Sequence, residues 1–461
     1  MADKHDNPLA GLIGGFPEQL VVIVRWMISA QLWKQALLAM LLAPLVGFLA
    51  FDLELFPETA TAVNNVTVSF GTLFLSFINL LVPPVVAFSV FVGIVSNSDL
   101  SSVRRIGLTA ILTYAFTTVL AVTLGLVFST LLMPLATAMV DPKLMAATLA
   151  SAGELPATSG PPNLLAIFVD MIPQGNLINP FLEGKLLQII ALAVVAGIGT
   201  MAILNTAGGA MVDGARLAVQ MAEYGMGLFL RLLSWTMILV PFATFGFMFD
   251  AIVKQQSVTA MFAIIGFALI IFLGLATLMT LYAVAIKLMR GMSFKQIARA
   301  ARDPLLITFS TASSSVAMPY TMKAAEENFG VSPQVARTTV PLGATVNMDG
   351  TSVYQVMAIV FLISLFGETI GVEVSIETLM TVALLVVLYS IGTPGVPGGS
   401  VKVIQDVLTM FGIPPGVIGI ILPMDRLLDM SRSTVNVSGD LFTAGFTDKL
   451  CRDDSSGSEA N

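Results

Sequence analysis

Between positions 425 and 440 the chain places Asp425, Asp429, Arg432, Asn436 and Asp440 at intervals of four, three, four and four residues. At about 3.6 residues per turn these side chains share one helical stripe under about a quarter of the circumference wide, with Leu427, Met430, Val437 and Leu441 opposite. The run lies in a largely apolar part of the chain, where each unpaired charge costs several kcal/mol, so the stripe must face the protein interior and find partners there. One arginine cannot neutralise three aspartates. Asp349, in a second polar cluster Asn347-Met-Asp-Gly-Thr351, deepens the imbalance. The missing positive charge must come from bound cations or from a cationic group on a ligand. Small hard cations such as Na⁺ take oxygen ligands, and Asp, Asn and freed carbonyls at Gly343, Thr345, Asn347 and Asn436 are what the region offers. Arg426, about 100° around the helix from Asp425, reads as a helix-end or interface residue rather than a ligand. The competing reading is a static polar network that only fixes helix packing.

Such a stripe needs a membrane to bury it, and the composition supplies one. Of the 461 residues only 11% are charged, against about 25% in soluble domains. Hydrophobic residues make up 56% and the mean hydropathy is +0.89, which excludes soluble enzymes. The net charge of −7 leaves no basic surface for nucleic acid. A single cysteine, Cys451, and a single histidine, His5, rule out a disulfide framework and a Cys- or His-based metal site. Met1–Pro8 lacks the basic-then-apolar order of a signal peptide, so the N-terminus is expected to be retained, and the hydrophilic Asp453–Asn461 to be disordered.

Long uncharged runs give about eight spans, the first being Ala36–Ala50, Val66–Val95, Ile106–Val140, Leu186–Leu204, Leu228–Phe249 and Met261–Ile286. They are continuously apolar, not alternating, so they are helices and not barrel strands. Basic residues gather at Arg104 and Arg105 and again from Lys287 to Arg302, which places both loops in the cytoplasm and the Pro/Gly/Asn-rich connection Ser151–Gly184 outside. A separate crossing within Thr206–Gly227 would break that topology.

After Arg302 the apolar segments are interrupted in their middles. Ser310–Ser315 followed by Pro319, and Ser390–Ser400 with its Gly/Pro cluster, each sit between apolar helical stretches, as in a hairpin that enters the membrane and turns back. Each is followed by a helix with a polar centre. The unit of broken hairpin and polar-centred helix therefore occurs twice, the pattern of a transporter site between repeats.

At Ser313-Ser-Ser315, Asn347-Met-Asp-Gly-Thr351, Gly392–Gly399 and Asp429-Met-Ser-Arg-Ser-Thr-Val-Asn-Val-Ser-Gly-Asp440 the chain resembles the glutamate transporter family of sodium-coupled dicarboxylate and amino acid symporters, and does so from about Lys34 to Thr447. The resemblance implies an all-α polytopic membrane protein of the elevator type, with eight transmembrane helices, two re-entrant helical hairpins and inverted repeats. It implies a homotrimer; the short connections and the N-terminus expected to be retained point to a prokaryotic inner membrane. The corresponding partition is an N-terminal cytoplasmic or interfacial segment (1–33), scaffold helices 1 and 2 (34–105), helix 3 of the transport domain (106–140) and an external connection with scaffold helices 4 and 5 (141–260). There follow helix 6 of the transport domain (261–302), hairpin 1 (303–337), helix 7 (338–370), hairpin 2 (371–412), helix 8 (413–448) and a C-terminal tail (449–461).

By the same resemblance Arg432 would hold the side-chain carboxylate of an acidic substrate, Asp429 its ammonium, and Asn436 with Ser313 and Ser314 its α-carboxylate, with Thr351 and Ser433 lining the pocket. Three cotransported Na⁺ are implied. One would use carbonyls of Gly343, Asn347 and Asn436 with Asp440. A second would use backbone oxygens of Thr345, Met348, Ser390, Ile391 and Thr393. The third would join Asp349 and Asn347 to Tyr114, Thr117 and Thr118. The chain departs from the pattern at Ala312 and Met430, where archaeal and animal members respectively carry a second arginine, at Ser400, where a Gly is common, and at Gln355, where proton-coupled animal members have Glu. A neutral amide carries no proton, so no proton cotransport is expected through Gln355.

The function expected is sodium-driven import of aspartate or glutamate, without enzyme chemistry. C4-dicarboxylates would leave Asp429 without an ammonium, and neutral amino acids would leave Arg432 without a carboxylate. An ion channel built from the re-entrant loops is the remote alternative. An intramembrane hydrolase lacks a histidine base or a Ser-Lys pair in the membrane.

Overall fold

The structure is a computed structural model, and it describes residues 32–95, 104–153, 164–173, 175–258, 260–390, 395 and 398–458. Among these every regular element is a helix. Seven helical stretches are long and apolar enough to cross a bilayer: Lys34–Asp52, Pro57–Val95, Arg105–Leu131, Leu186–Thr206, Ala210–Gln255, Met261–Arg290 and Pro333–Phe366. We number the helices α1 (Leu32–Gly47), α2 (Pro57–Val95), α3 (Arg104–Leu131), α4 (Leu186–Thr206), α5 (Ala210–Thr236), α6 (Val240–Gln255) and α7 (Ala260–Arg290). Beyond them lie α8 (Arg302–Thr311), α9 (Ser314–Lys323), α10 (Pro333–Val346), α11 (Asp349–Phe366), α12 (Ile376–Ser390), α13 (Gly399–Met410) and α14 (Leu422–Ser458). The 37-residue α14 has the length of a span, but Asp425, Arg426, Asp429 and Arg432 keep its hydropathy low.

Among the boundaries that differ from the sequence expectation, including the start of the second span at Pro57 and the end of the third at Leu131, three have a plain physical reason. The fifth span begins at Ala210, not Leu228, because α5 runs on through the turn Met237–Leu239 into α6 without a break. Exposed Asp213, Arg216 and Glu223 hid its first turns from a hydropathy reading, and no separate crossing precedes it. Four membrane-length helices thus separate the two basic loops, as the topology requires. Helix α10 starts at Pro333, inside the segment assigned to hairpin 1, where Pro directly after Ser332 is a strong helix-start signal. Helix α14 continues to Ser458, through most of the tail expected to be disordered, since that stretch holds no proline and no glycine before Gly457.

Helices α8 and α9, and α12 and α13, form the two hairpins. At 10 residues α8 and α9 each span about 15 Å, half of the hydrocarbon core, so neither limb crosses alone. Ala312 makes the first turn with a positive φ of 55°, and Ser313 caps α9 by accepting from Val316 N. Between α10 and α11 the helix breaks at Asn347 and Met348. Helices α1, α2, α4, α5 and α6 pack on one another; α3 and α7–α14 form a second group around α11 and α14. The groups meet where α6 touches α14 and α7, α1 touches α14, α2 touches α13 and α10, and α4 touches α12. In α11 every residue but Ser364 is buried, its polar first turns at the site and its apolar remainder in the core.

Candidate functional site

Helix α14 runs through the second group and carries the polar stripe inward. At its start Arg432, 1% exposed, places Nη1 3.2 Å from Asp425 Oδ1 and Nη2 2.8 Å from Asp429 Oδ1. Its guanidinium carbon lies 4.4 Å from the ring centre of Tyr354 on α11, and the Tyr354 hydroxyl donates to Asp425 Oδ1 at 2.9 Å. Gly398 N, at the tip of hairpin 2, donates to Asp429 Oδ2 at 3.3 Å. Arg426 is not peripheral: it is 7% exposed, with Nη1 3.8 Å from Asp429 Oδ2. A helix angle measures where the Cα points, whereas the long arginine stem reaches a neighbour three residues on. Two carboxylates therefore face two guanidiniums, and this end of the stripe is neutral.

Three turns on, the balance reverses. Asp440 Oδ1 accepts from Asn347 Nδ2 at 2.9 Å, and the same Nδ2 lies 3.2 Å from Asn436 O. Asp349, at the first turn of α11, accepts from Thr118 at 3.1 Å and from the Tyr282 hydroxyl at 2.5 Å. Among the described residues neither Asp349 nor Asp440 forms an ion pair, and both are buried. Tyr114 donates to Thr339 O, and Thr117 to Tyr114 O. Gly343 is required here: a Cβ would collide with Asp440 Oδ1 and the Tyr114 hydroxyl. Asn347 Oδ1 is buried with no hydrogen-bond partner, an unusual condition that a cation ligand would explain.

Of the sequence-predicted cation ligands, Tyr114, Gly343, Asn347, Asn436 and Asp440 cluster, as do Thr118 and Asp349. Thr345 and Met348 border the helix break, with Met348 O accepting from Ser352 and Thr345 donating to Leu342 O. Ser390 ends α12 with its hydroxyl on Val387 O, and among the described residues no hydrogen bond joins it to Thr345 or Met348. Ile391 and Thr393 lie outside the described residues.

Of the predicted substrate residues, Asp429 and Arg432 form the arginine end, and Asn436, Thr351, Ser313, Ser314 and Ser433 follow. Asn436 pairs with Thr351 through both atoms of its amide, accepting from Thr351 N at 3.2 Å and reaching Thr351 Oγ1 at 3.1 Å. Ser313 donates to Gly395 O at 2.9 Å, joining the two hairpin tips. Ser314 Oγ is buried without a partner, against Gly395, where a Cβ would strike it. Ser433 is buried beside Arg432. The cavity lined by Phe74, Phe247, Gly398, Asp425, Arg426 and Asp429 measures about 20 Å³, room for about one water.

The family model for sodium:dicarboxylate symporters matches residues 32–450. The chain belongs to that family. It is 25% identical over 388 residues to a proton/sodium-glutamate symport protein of Geobacillus stearothermophilus, covering 84% of this chain and 87% of the relative. It is 27% identical over 420 residues to a C4-dicarboxylate transport protein of Laribacter hongkongensis, 89% and 88% respectively. A putative sodium-dependent excitatory amino acid transporter of Caenorhabditis elegans is 38% identical over 149 residues, covering 32% of this chain and 29% of that protein. As a sodium:dicarboxylate symporter family member the chain is a multi-pass membrane protein of a transporter class.

Sequence reasoning missed Tyr354, Tyr282 and Arg426 as members of the site. The tyrosines act across helices, and nothing in their own segments marks them. Arg426 had a signal: it lies three residues before Asp429, as Arg432 lies three after.

Proposed function

We propose that this symporter couples inward Na⁺ movement to import of an acidic amino acid, aspartate or glutamate. Arg432 holds the side-chain carboxylate with its planar fork, Asp429 takes the ammonium, and Asn436, Thr351, Ser433 and the hairpin tip at Ser313 and Ser314 close on the rest. Na⁺ ions occupy three sites: one at Asp440 with Gly343, Asn347 and Asn436, one at Asp349 with Asn347, Tyr114, Thr117 and Thr118, and one at Thr345, Met348, Ser390, Ile391 and Thr393. The scaffold is formed by α1, α2 and α4–α6 in a homotrimer, while α3 and α7–α14 slide as the transport domain.

The observation that supports this reading is the neutral arginine end beside two buried carboxylates that only neutral donors hold. A substrate of charge minus one added to those two carboxylates is balanced by three Na⁺, which leaves a load that can cross hydrocarbon without exposed charge. The test is uptake of labelled aspartate into proteoliposomes under an inward Na⁺ gradient, with glutamate, serine and succinate as competitors. Concentrative, Na⁺-dependent uptake is expected, blocked by glutamate and reduced on the order of 100-fold or more in Arg432→Ala, which leaves Asp425 and Asp429 short of a partner. Downhill flux without accumulation would instead mean a channel.

A further inference from the structure

We propose that Arg426 is a selectivity-determining residue: it serves as the charge partner of Asp429 whenever the bound substrate brings no ammonium, and so lets dicarboxylates lacking an amino group share the site with acidic amino acids. The inference rests on the acidic-substrate reading above and deepens it. Asp429 lies between two guanidiniums, Arg432 at 2.8 Å on Oδ1 and Arg426 at 3.8 Å on Oδ2. Neither contact has hydrogen-bond geometry, and the two arginines differ in what else holds them. Arg432 donates to Asp425 through Nη1 and lies over the Tyr354 ring. Arg426 is buried, yet its Nε and Nη1 meet no hydrogen-bond acceptor, and the wall beside it is Phe74, Met237, Val240 and Phe247. A buried guanidinium with idle donors beside one carboxylate is held by charge and not by geometry.

Such a partner is exchangeable. An incoming ammonium that bonds Asp429 directly displaces the long contact to Arg426. A dicarboxylate leaves that contact in place, so Asp429 is never stranded. The argument that Asp429 excludes dicarboxylates is thus met locally by Arg426, although a dicarboxylate of charge minus two needs one more cation or proton than an acidic amino acid to cross as a neutral load.

The experiment measures Na⁺-dependent uptake and equilibrium binding of labelled aspartate and labelled succinate by the full-length protein, wild type, Arg426→Gln and Arg426→Lys. In the wild type both compounds are bound in Na⁺ and each displaces the other. In Arg426→Gln the succinate KM and Kd rise roughly tenfold or more while those of aspartate fall, because Asp429 then depends on the substrate's ammonium. Arg426→Lys returns succinate toward the wild-type value. A loss confined to folding or packing moves both substrates in one direction, and that result overturns the proposal. So does wild-type protein whose aspartate binding resists a hundredfold excess of succinate, a measurement that needs no variant. Wild-type protein that binds neither compound in Na⁺ overturns the acidic-substrate reading itself.

Discussion

The two ends of the polar site on α14 bury equal numbers of carboxylates and hold them in opposite ways. Asp425 and Asp429 are matched within the chain by Arg432 and Arg426, with Tyr354 completing the enclosure. Asp440, joined by Asp349 from α11, receives neutral donors, the amide of Asn347 and the hydroxyls of Thr117, Thr118 and Tyr282. An end that carries both signs suits a ligand that carries both signs, and it holds together between ligands. An end that carries one sign is unstable in the membrane until cations arrive. On the proposed reading sodium would bind at the end that carries one sign, and the arginine end would not need it.

The change expected to disturb this contrast most is Asp440→Asn. It removes a charge that the fold leaves unmatched, so the Na⁺ required for half-maximal uptake should rise on the order of 100-fold, while the protein in Na⁺-free buffer should melt no lower than wild type. Thermal melts in NaCl and in choline chloride, beside a Na⁺ titration of uptake, check both halves. A variant that melts much lower without Na⁺ would show that Asp440 is already satisfied by Asn347, and the two ends would not differ in kind.

Gly343→Ala sharpens the same contrast with a smaller effect. Its Cβ would collide with Asp440 Oδ1 and the Tyr114 hydroxyl, on a helix that otherwise tolerates alanine well. Overpacking of about 1–2 kcal/mol should raise the Na⁺ requirement roughly tenfold and leave substrate selectivity at saturating Na⁺ unchanged. An altered aspartate-to-succinate preference would mean that the crowding reaches the arginine end.

How much of this was legible in the sequence depended on whether a feature is periodic along one segment or formed between segments. The stripe from Asp425 to Asp440 is periodic, and the hairpins at Ser313 and Gly398 announce themselves by polar and Gly/Pro breaks in apolar runs. Both appear in the fold, as does the break at Asn347 and Met348. The enclosure of Arg432 by Tyr354, and of Asp349 by Tyr282, joins residues 78 and 67 positions apart and leaves no local trace. Arg426 was misplaced for another reason. Its backbone direction was read correctly, but a flexible four-bond stem is not confined to the angle of its Cα. The deficit inferred from one arginine against three aspartates was therefore too large at one end of the helix and correct at the other.

Tyr282→Phe gives the smallest effect and the finest distinction. The hydroxyl donates to Asp349 at 2.5 Å; its counterpart at the arginine end, the Tyr354 hydroxyl on Asp425, is backed by a guanidinium on the same carboxylate, and Tyr282 has no such backing. Removing it leaves the hydroxyls of Thr118 and Thr117 at Asp349, which should lower stability in Na⁺-free buffer by about 1.5–3 kcal/mol, the worth of a hydrogen bond to a charged group. Na⁺ at Asp349 would restore part of that loss. The stabilisation produced by Na⁺ should then be larger in Tyr282→Phe than in the wild type, the reverse of Asp440→Asn, where it should shrink. Melting both variants across a Na⁺ series separates the two directions. Equal Na⁺ stabilisation in Tyr282→Phe and wild type would mean that no cation reaches Asp349, and that Asp440 alone makes this end of the helix depend on sodium.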